Sequence, residues 1–214
     1  MTKQIFPLAL GGLAIGTTEF IIMGLLPDVA KDLGVSIPIA GHLISAYAFG
    51  VVVGAPILVA LSSKFPPKNI LIVYMILFTL FNALSIVAPD YNTLLMSRFL
   101  AGLPHGAFFG VGTIVAIKLS KKGKEAQAVS SMFTGLTLAI LLLVPLLTYI
   151  GHNTSYKWAF LIVSLLGIFT ILALIKFMPK LKSLKTVTFK EEIEFFLTFK
   201  AWHIILIVAI GFGG

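Results

Sequence analysis

Residues 5–27 read IFPLALGGLAIGTTEFIIMGLLP, and this stretch decides the fold. Its 23 residues carry one charged side chain, Glu19. As a helix rising ~1.5 Å per residue it reaches about 34 Å, enough to cross a hydrocarbon core of about 30 Å. The apolar positions run on continuously instead of alternating, which argues against a strand of an outer-membrane barrel. The run is too long for the apolar region of a signal peptide, and five more like it follow.

Those further runs cover residues 38–61, 69–88, 92–117, 127–150 and 158–178. Between them stand Pro66-Pro67, Pro89-Asp90, Lys121-Lys122-Gly123 and Gly151-His152-Asn153, which are turn-forming sequences. A seventh run starts at Trp202 and stops at Gly214. Its 13 residues reach only about 20 Å as a helix. Ending there would leave bare carbonyls in hydrocarbon, so the expectation is a chain truncated within its seventh helix.

Composition agrees with this reading. The 214 residues are 58% hydrophobic and only 11% charged, with a mean hydropathy of +1.06. A soluble domain carries about 25% charged residues, so the expected class is an all-α membrane protein. With no cysteine, a disulfide framework and a thiolate metal site are both excluded.

The net charge of +8 would suit nucleic acid if it formed one basic surface. It is distributed by membrane side instead. Thirteen lysines (Lys3, Lys64, Lys68, Lys118, Lys121, Lys122, Lys124, Lys176, Lys180, Lys182, Lys185, Lys190 and Lys200) fall on one side, against Lys31 and Lys157 on the other. Positive charge marks the cytoplasmic side, so the N-terminus is expected there, in a cytoplasmic (inner) membrane, with the lipid bilayer as partner and no nucleic acid.

The expected organisation is a six-helix bundle over residues 1–178, a basic linker over 179–201 and an incomplete seventh helix over 202–214. Thr188-Phe189-Lys190-Glu191 reads as a capping box opening a short helix. Phe189, Ile193, Phe196 and Leu197 fall on one face of it. Two readings stand for this segment: an interfacial helix lying along the membrane, or a solvated linker.

Two strong charges lie well inside spans, Glu19 and Arg98. Each costs at least about 2.5–3.5 kcal/mol at the bilayer centre, so each needs a partner or a wet cavity. Glu19 precedes Pro27 by eight residues and Arg98 follows Tyr91 by seven. At the helical rise these place both about 10–12 Å below the outer face. They make a charge pair or two walls of one cavity. Glu19 is then a protonatable site tuned by Arg98, or the two form a static pair that locks packing.

His105 follows Arg98 by seven residues and shares its face, as a proton relay, a substrate-lining group or an interhelical hydrogen bond. Thr17, Thr18, Asn82 and Gln127 are further hydrogen-bonding groups in the spans, and Phe20, Tyr47, Phe108 and Phe109 offer apolar walls to an amphipathic solute or else face lipid and fill the bundle. Small residues form stripes at Gly102, Gly106 and Gly110, at Ala46, Gly50 and Gly54, and at Gly12 and Gly16. Such stripes let helix backbones approach closely. Pro104 and Pro145 sit mid-span, where a missing backbone hydrogen bond permits a bend.

No phosphate-binding loop, metal-ligand cluster or nucleophile arrangement appears, so neither an enzyme nor a bound cofactor is expected.

Taken in order, these features resemble the major facilitator superfamily, and within it the drug:proton antiporter and arabinose (sugar) efflux permease-like branch. The carriers are Gly16-Thr17-Thr18-Glu19-Phe20-Ile21-Ile22-Met23-Gly24-Leu25-Leu26-Pro27, Arg98-Phe99-Leu100-Ala101-Gly102 continuing to His105-Gly106, and Tyr156-Lys157-Trp158-Ala159-Phe160. Residues 59–68 depart from the family's loop signature, with Ser63 and Pro66 where Asp and Gly are usual. In the fifth helix Gly135 and Pro145 resemble the Gly-rich Pro motif of similar efflux proteins, as helix-packing and gating points, while Leu143 and Leu147 stand where small residues are expected.

The resemblance implies the N-terminal half of a twelve-helix transporter, built as inverted three-helix repeats, whose missing C-terminal bundle completes a central cavity. It implies proton-coupled efflux of a small organic solute, drug-like or sugar, with Glu19 and Arg98 on the cavity. An uncoupled facilitator or symporter, and a non-transporting half-protein acting by helix association, remain the alternatives.

Overall fold

The computed structural model describes residues 3–62, 64–182, 194 and 197–213. The elements are α1 (Phe6–Gly24), α2 (Leu26–Leu33), α3 (Ile37–Ser62), α4 (Pro67–Val87), α5 (Tyr91–Leu119), α6 (Glu125–Leu138), a π segment (Ala139–Leu143), α7 (Val144–Asn153), α8 (Lys157–Phe177) and α9 (Phe199–Gly213). Among the described residues, six helices are long and apolar enough to cross a membrane: α1, α3, α4, α5, the continuous Glu125–Asn153 and α8. The chain is a multi-pass, all-α membrane protein. The capping box at 188–191 and Ser63 lie outside the described residues.

The helix ends follow from local chemistry. Asp90 caps α5, its carboxylate accepting from Thr93 N at 2.9 Å. Gly34 ends α2 at φ +64°, a conformation open to glycine at little cost. The sequence reading ran the first span to Pro27, whereas α1 stops at Gly24 and Leu26–Leu33 forms a separate short helix. Pro27 suits its first turn, where the missing N–H costs nothing. Lys68 Nζ donates to Ile175 O and Met178 O, at 2.7 and 2.6 Å, and so ties the start of α4 to the end of α8.

Packing repeats within the chain. Contacts join α3 to α5 and α1 to α6, α4 to α5 and α1 to α8, and α4 to α8. The set is unchanged when the first three spans exchange with the last three. Glycines show the same repeat in atomic detail. A Cβ on Gly50 would strike Phe99 O, and one on Gly102 would strike Tyr47 O. In the other half, Gly135 faces Ala9 O and Gly12 faces Met132 O. Ala9 and Gly12 thus correspond to Phe99 and Gly102, 90 residues on, and Tyr47 and Gly50 to Met132 and Gly135, 85 residues on. Three spans separate the partners, so the repeats run in opposite directions.

The small-residue stripe on α5 is shorter than the sequence suggests. Gly102 and Gly106 sit in close contact, but Gly110 is exposed and meets only Val59 at an ordinary 3.6 Å. Pro104 is buried within an unbroken α5. The fifth span departs from α geometry at Ala139–Leu143, just before Pro145. Proline removes one backbone donor there, and π turns are one way a helix accommodates this.

Two apolar clusters fill the interior. One holds Leu8, Ile15, Leu71, Phe78, Phe108, Val111 and Met132. The other holds Ile21, Leu25, Leu43, Leu94, Tyr156 and Phe160. On α1, α4 and α5 the residues between them are Thr18, Asn82 and Arg98, all fully buried, so a polar layer divides the core. Outside, Val52, Leu80, Leu141 and Phe169 are exposed, a surface suited to lipid and costly in water.

Candidate functional site

The polar layer centres on Arg98, 0% exposed on α5. Its Nη1 donates to Thr18 Oγ1 and its Nη2 to Thr18 O, both at 3.0 Å. Thr18 Oγ1 donates in turn to Asn82 Oδ1. Asn82 Nδ2 is held by Phe78 O at 2.8 Å, which fixes the orientation of its amide. Three spans therefore meet through one hydrogen-bonded chain.

A second group of contacts closes on the face of the guanidinium. Arg98 Cζ lies 4.3 Å from the centre of the Tyr47 ring and 5.8 Å from that of Phe160. The Tyr47 hydroxyl is hydrogen-bonded to His105 Nδ1 at 3.0 Å. His105 packs on Phe109 at 5.4 Å, and Phe109 stacks on Phe133 at 5.1 Å. Arg98 Nε is buried with no hydrogen-bond partner. A charge this deep, held by neutral oxygens and a ring, forgoes most of its hydration.

Glu19 follows Thr18 on α1 and is half-buried, as is Phe20. Among the described residues no salt bridge joins Glu19 to Arg98. Of the two arrangements open in the sequence, a closed charge pair does not describe this geometry. Arg98 takes Thr18 as its partner because the consecutive residues point about 100° apart around α1.

The remaining candidates divide. His105 makes the interhelical hydrogen bond, to Tyr47. Thr17 is fully buried and donates back to Leu13 O at 2.7 Å within its own helix, so its hydroxyl is already used. Gln127 does not join the cluster. It is exposed and lines a cleft of about 300 Å³ with Ile5, Ser120, Lys121, Lys124 and Ser131, near the start of α6. Gly135 packs α6 against α1, and Pro145 opens α7.

Sequence reading missed a further polar pair, Ser85 and Ser97, whose hydroxyls are 2.8 Å apart between α4 and α5. It also missed a cleft of about 440 Å³ at the other end of the bundle. There Asp28 Oδ2 and His152 Nδ1 meet at 2.5 Å. Beside them burial pushes the Tyr156 phenol up to about 12, with the nearby Asp32 carboxylate adding to the effect. Asp28 and His152 stand 124 positions apart, so no local pattern flags the pair.

The family profile described as Major Facilitator Superfamily matches residues 8–214. Over 173 residues the chain is 50% identical to "Inner membrane transport protein YdhP" of Escherichia coli (strain K12), covering 81% of this chain and 44% of that protein. It is 39% identical over 214 residues to "Putative transporter AraJ" of the same strain, covering 100% of this chain and 54% of the relative. The chain thus spans about half the length of the curated relatives it matches. Among solved structures it is similar in fold to the peptide transporter POT in complex with alafosfalin, with TM-score 0.73 and 15% identity over 98% of this chain and 47% of the other. It is similar also to the proton:xylose symporter XylE, with TM-score 0.69 and 14% identity over 83% of this chain and 44% of the other.

Proposed function

The chain belongs to the major facilitator superfamily, a fold of transport and not of catalysis, and on that premise we propose that it works in proton-coupled export of a small organic solute. In this reading residues 1–178 are the N-terminal bundle and 179–201 the linker, whose last three residues already belong to α9, and 202–214 lie in a seventh span. A C-terminal bundle then supplies the other wall of the cavity. This is in keeping with relatives about twice as long. The asymmetry of the lysines supports a cytoplasmic N-terminus. An inner-membrane location agrees with the description of YdhP.

One observation carries the coupling: the buried cation of Arg98 sits on Thr18, and the half-buried carboxyl of Glu19 is the next residue of the same helix. A carboxyl in a span is costly as an anion unless paired, and cheaper when protonated. Protonated, Glu19 leaves Arg98 on Thr18. Deprotonated, it draws the guanidinium to itself. An inward proton and an outward solute then use the two conditions in turn, as drug:proton antiport or sugar efflux requires. A cationic solute competes for the Glu19 carboxylate, while a sugar takes hydrogen bonds from cavity groups.

One feature favours a second reading, an uncoupled facilitator or symporter. Arg98 is satisfied on one edge without Glu19, as expected if it only locks α1, α4 and α5 together. Transport of ethidium and of L-arabinose from proteoliposomes separates the two. Coupled export moves solute against an imposed inward proton gradient and collapses with a protonophore; symport moves solute in the same direction as the proton, and facilitation ignores both.

A further inference from the structure

We infer that Tyr47, tethered by His105, is a positioning residue that holds Arg98 on Thr18 and away from Glu19, and so sets when Glu19 takes up and releases its proton. This rests on the proton-coupled reading and adds two residues to its machinery.

The argument is geometric. One edge of the guanidinium is pinned by the two bonds to Thr18. One face lies on the Tyr47 ring at 4.3 Å. The remaining edge carries Nε, buried without a partner. Arginine recognises carboxylates through a planar fork of N–H groups, and the Nε edge is such a fork left open. Thr18 and Glu19 are neighbours on α1, so turning the guanidinium around that helix exchanges one for the other. That rotation must slide the cation off the ring.

Tyr47 cannot follow it. The ring is 3% exposed, and its hydroxyl is fastened to His105 Nδ1 at 3.0 Å. His105 is itself held against Phe109 at 5.4 Å, which stacks on Phe133 of α6. The ring is therefore a fixed platform, and the guanidinium is the part that moves. Around Arg98, the charged or titratable groups among the described residues are Glu19 from α1, Tyr47 from α3 and His105 from α5. From α4 and α8 come only neutral Asn82 and the Phe160 ring. The choice between Thr18 and Glu19 is thus weighed by the Tyr47–His105 pair.

The test is an infrared difference titration of the full-length chain in lipid nanodiscs, reading the protonated-carboxyl band that Glu19→Gln abolishes. Tyr47→Leu removes the platform and moves the Glu19 midpoint by about one pH unit, a tenfold change in proton affinity. Tyr47→Phe keeps the ring and moves it by less than half as much. If Tyr47→Leu does not fold, His105→Leu breaks the same tether as Tyr47→Phe and a displacement of that smaller size is expected. A midpoint unchanged in Tyr47→Leu, or in its His105→Leu substitute, overturns the inference alone. The absence of any titrating Glu19 band in the wild type overturns the proton-coupled reading beneath it.

Discussion

Arg98 gives both terminal nitrogens of its guanidinium to Thr18, at 3.0 Å to the hydroxyl and 3.0 Å to the carbonyl. The carbonyl of an α-helix has a second lone pair to offer, so α1 keeps its own ladder while holding the cation of α5. The hydroxyl is occupied twice, since it also donates to Asn82. Thr18 is therefore the joint between three spans, and its loss is felt at each.

Thr18→Val tests this directly. The substitution keeps the shape but leaves Arg98 without one acceptor and Asn82 Oδ1 without its donor. Each buried group left unsatisfied costs about 1–3 kcal/mol, so the melting temperature in detergent falls by several degrees. Thr17→Val breaks only a bond within α1 and costs under about 1 kcal/mol. Equal losses in the two variants would contradict the joint.

Glycine substitutions distinguish close backbone approach from mere small-residue periodicity. A Cβ at Gly135 has no room against the Ala9 carbonyl, whereas one at Gly110 meets Val59 at 3.6 Å. Gly135→Ala is expected to destabilise by about 1–3 kcal/mol through overpacking. Gly110→Ala is expected to be silent or slightly favourable, because alanine is the better helix former. Thermal unfolding of the two variants checks both.

Much of this architecture was legible in the chain. Continuous apolar runs located the six spans found among the described residues, since a bilayer demands helices long enough to cross it. The stripes at Gly12, Gly50 and Gly102 marked where backbones meet. Other features were not legible, for definite reasons. Helix α2 has eight residues and hides behind the apolar run that precedes it. Gly110 continues the i, i+4 spacing, yet it is exposed and meets only the Val59 side chain, and spacing carries no information about what lies opposite. Arg98 and Glu19 are equal in depth, but depth leaves out the rotation of α1 that hands Arg98 to Thr18 instead. Gln127 was placed by residue type, and its position at the end of the bundle removes it from the polar layer.

Gln127→Ala should therefore leave transport of both ethidium and L-arabinose within twofold of the wild type. Asn82→Leu removes the acceptor of Thr18 from the centre of the layer and should lower it tenfold or more. Initial-rate uptake into proteoliposomes compares them. A large loss in Gln127→Ala would return that residue to the solute path.

Tyr156 predicts an alkaline limit to stability. Its phenol stands at about 12 in the folded chain, against about 10 when unfolded. The raised value means that the folded state prefers the protonated phenol. The contribution is complete below pH 10 and is lost as pH rises through about 12. The wild type should lose thermal stability across that window more steeply than Tyr156→Phe. Parallel profiles would mean that the phenol is not the group responsible.

The most direct test of proton coupling is Glu19→Gln, with two fluxes measured in the same proteoliposomes: export driven by an imposed pH gradient, and exchange of labelled for unlabelled solute without one. If Glu19 carries the coupled proton, gradient-driven flux is lost while exchange continues, because glutamine still fills the site but cannot release a proton. Gradient-driven flux undiminished in Glu19→Gln would contradict the account.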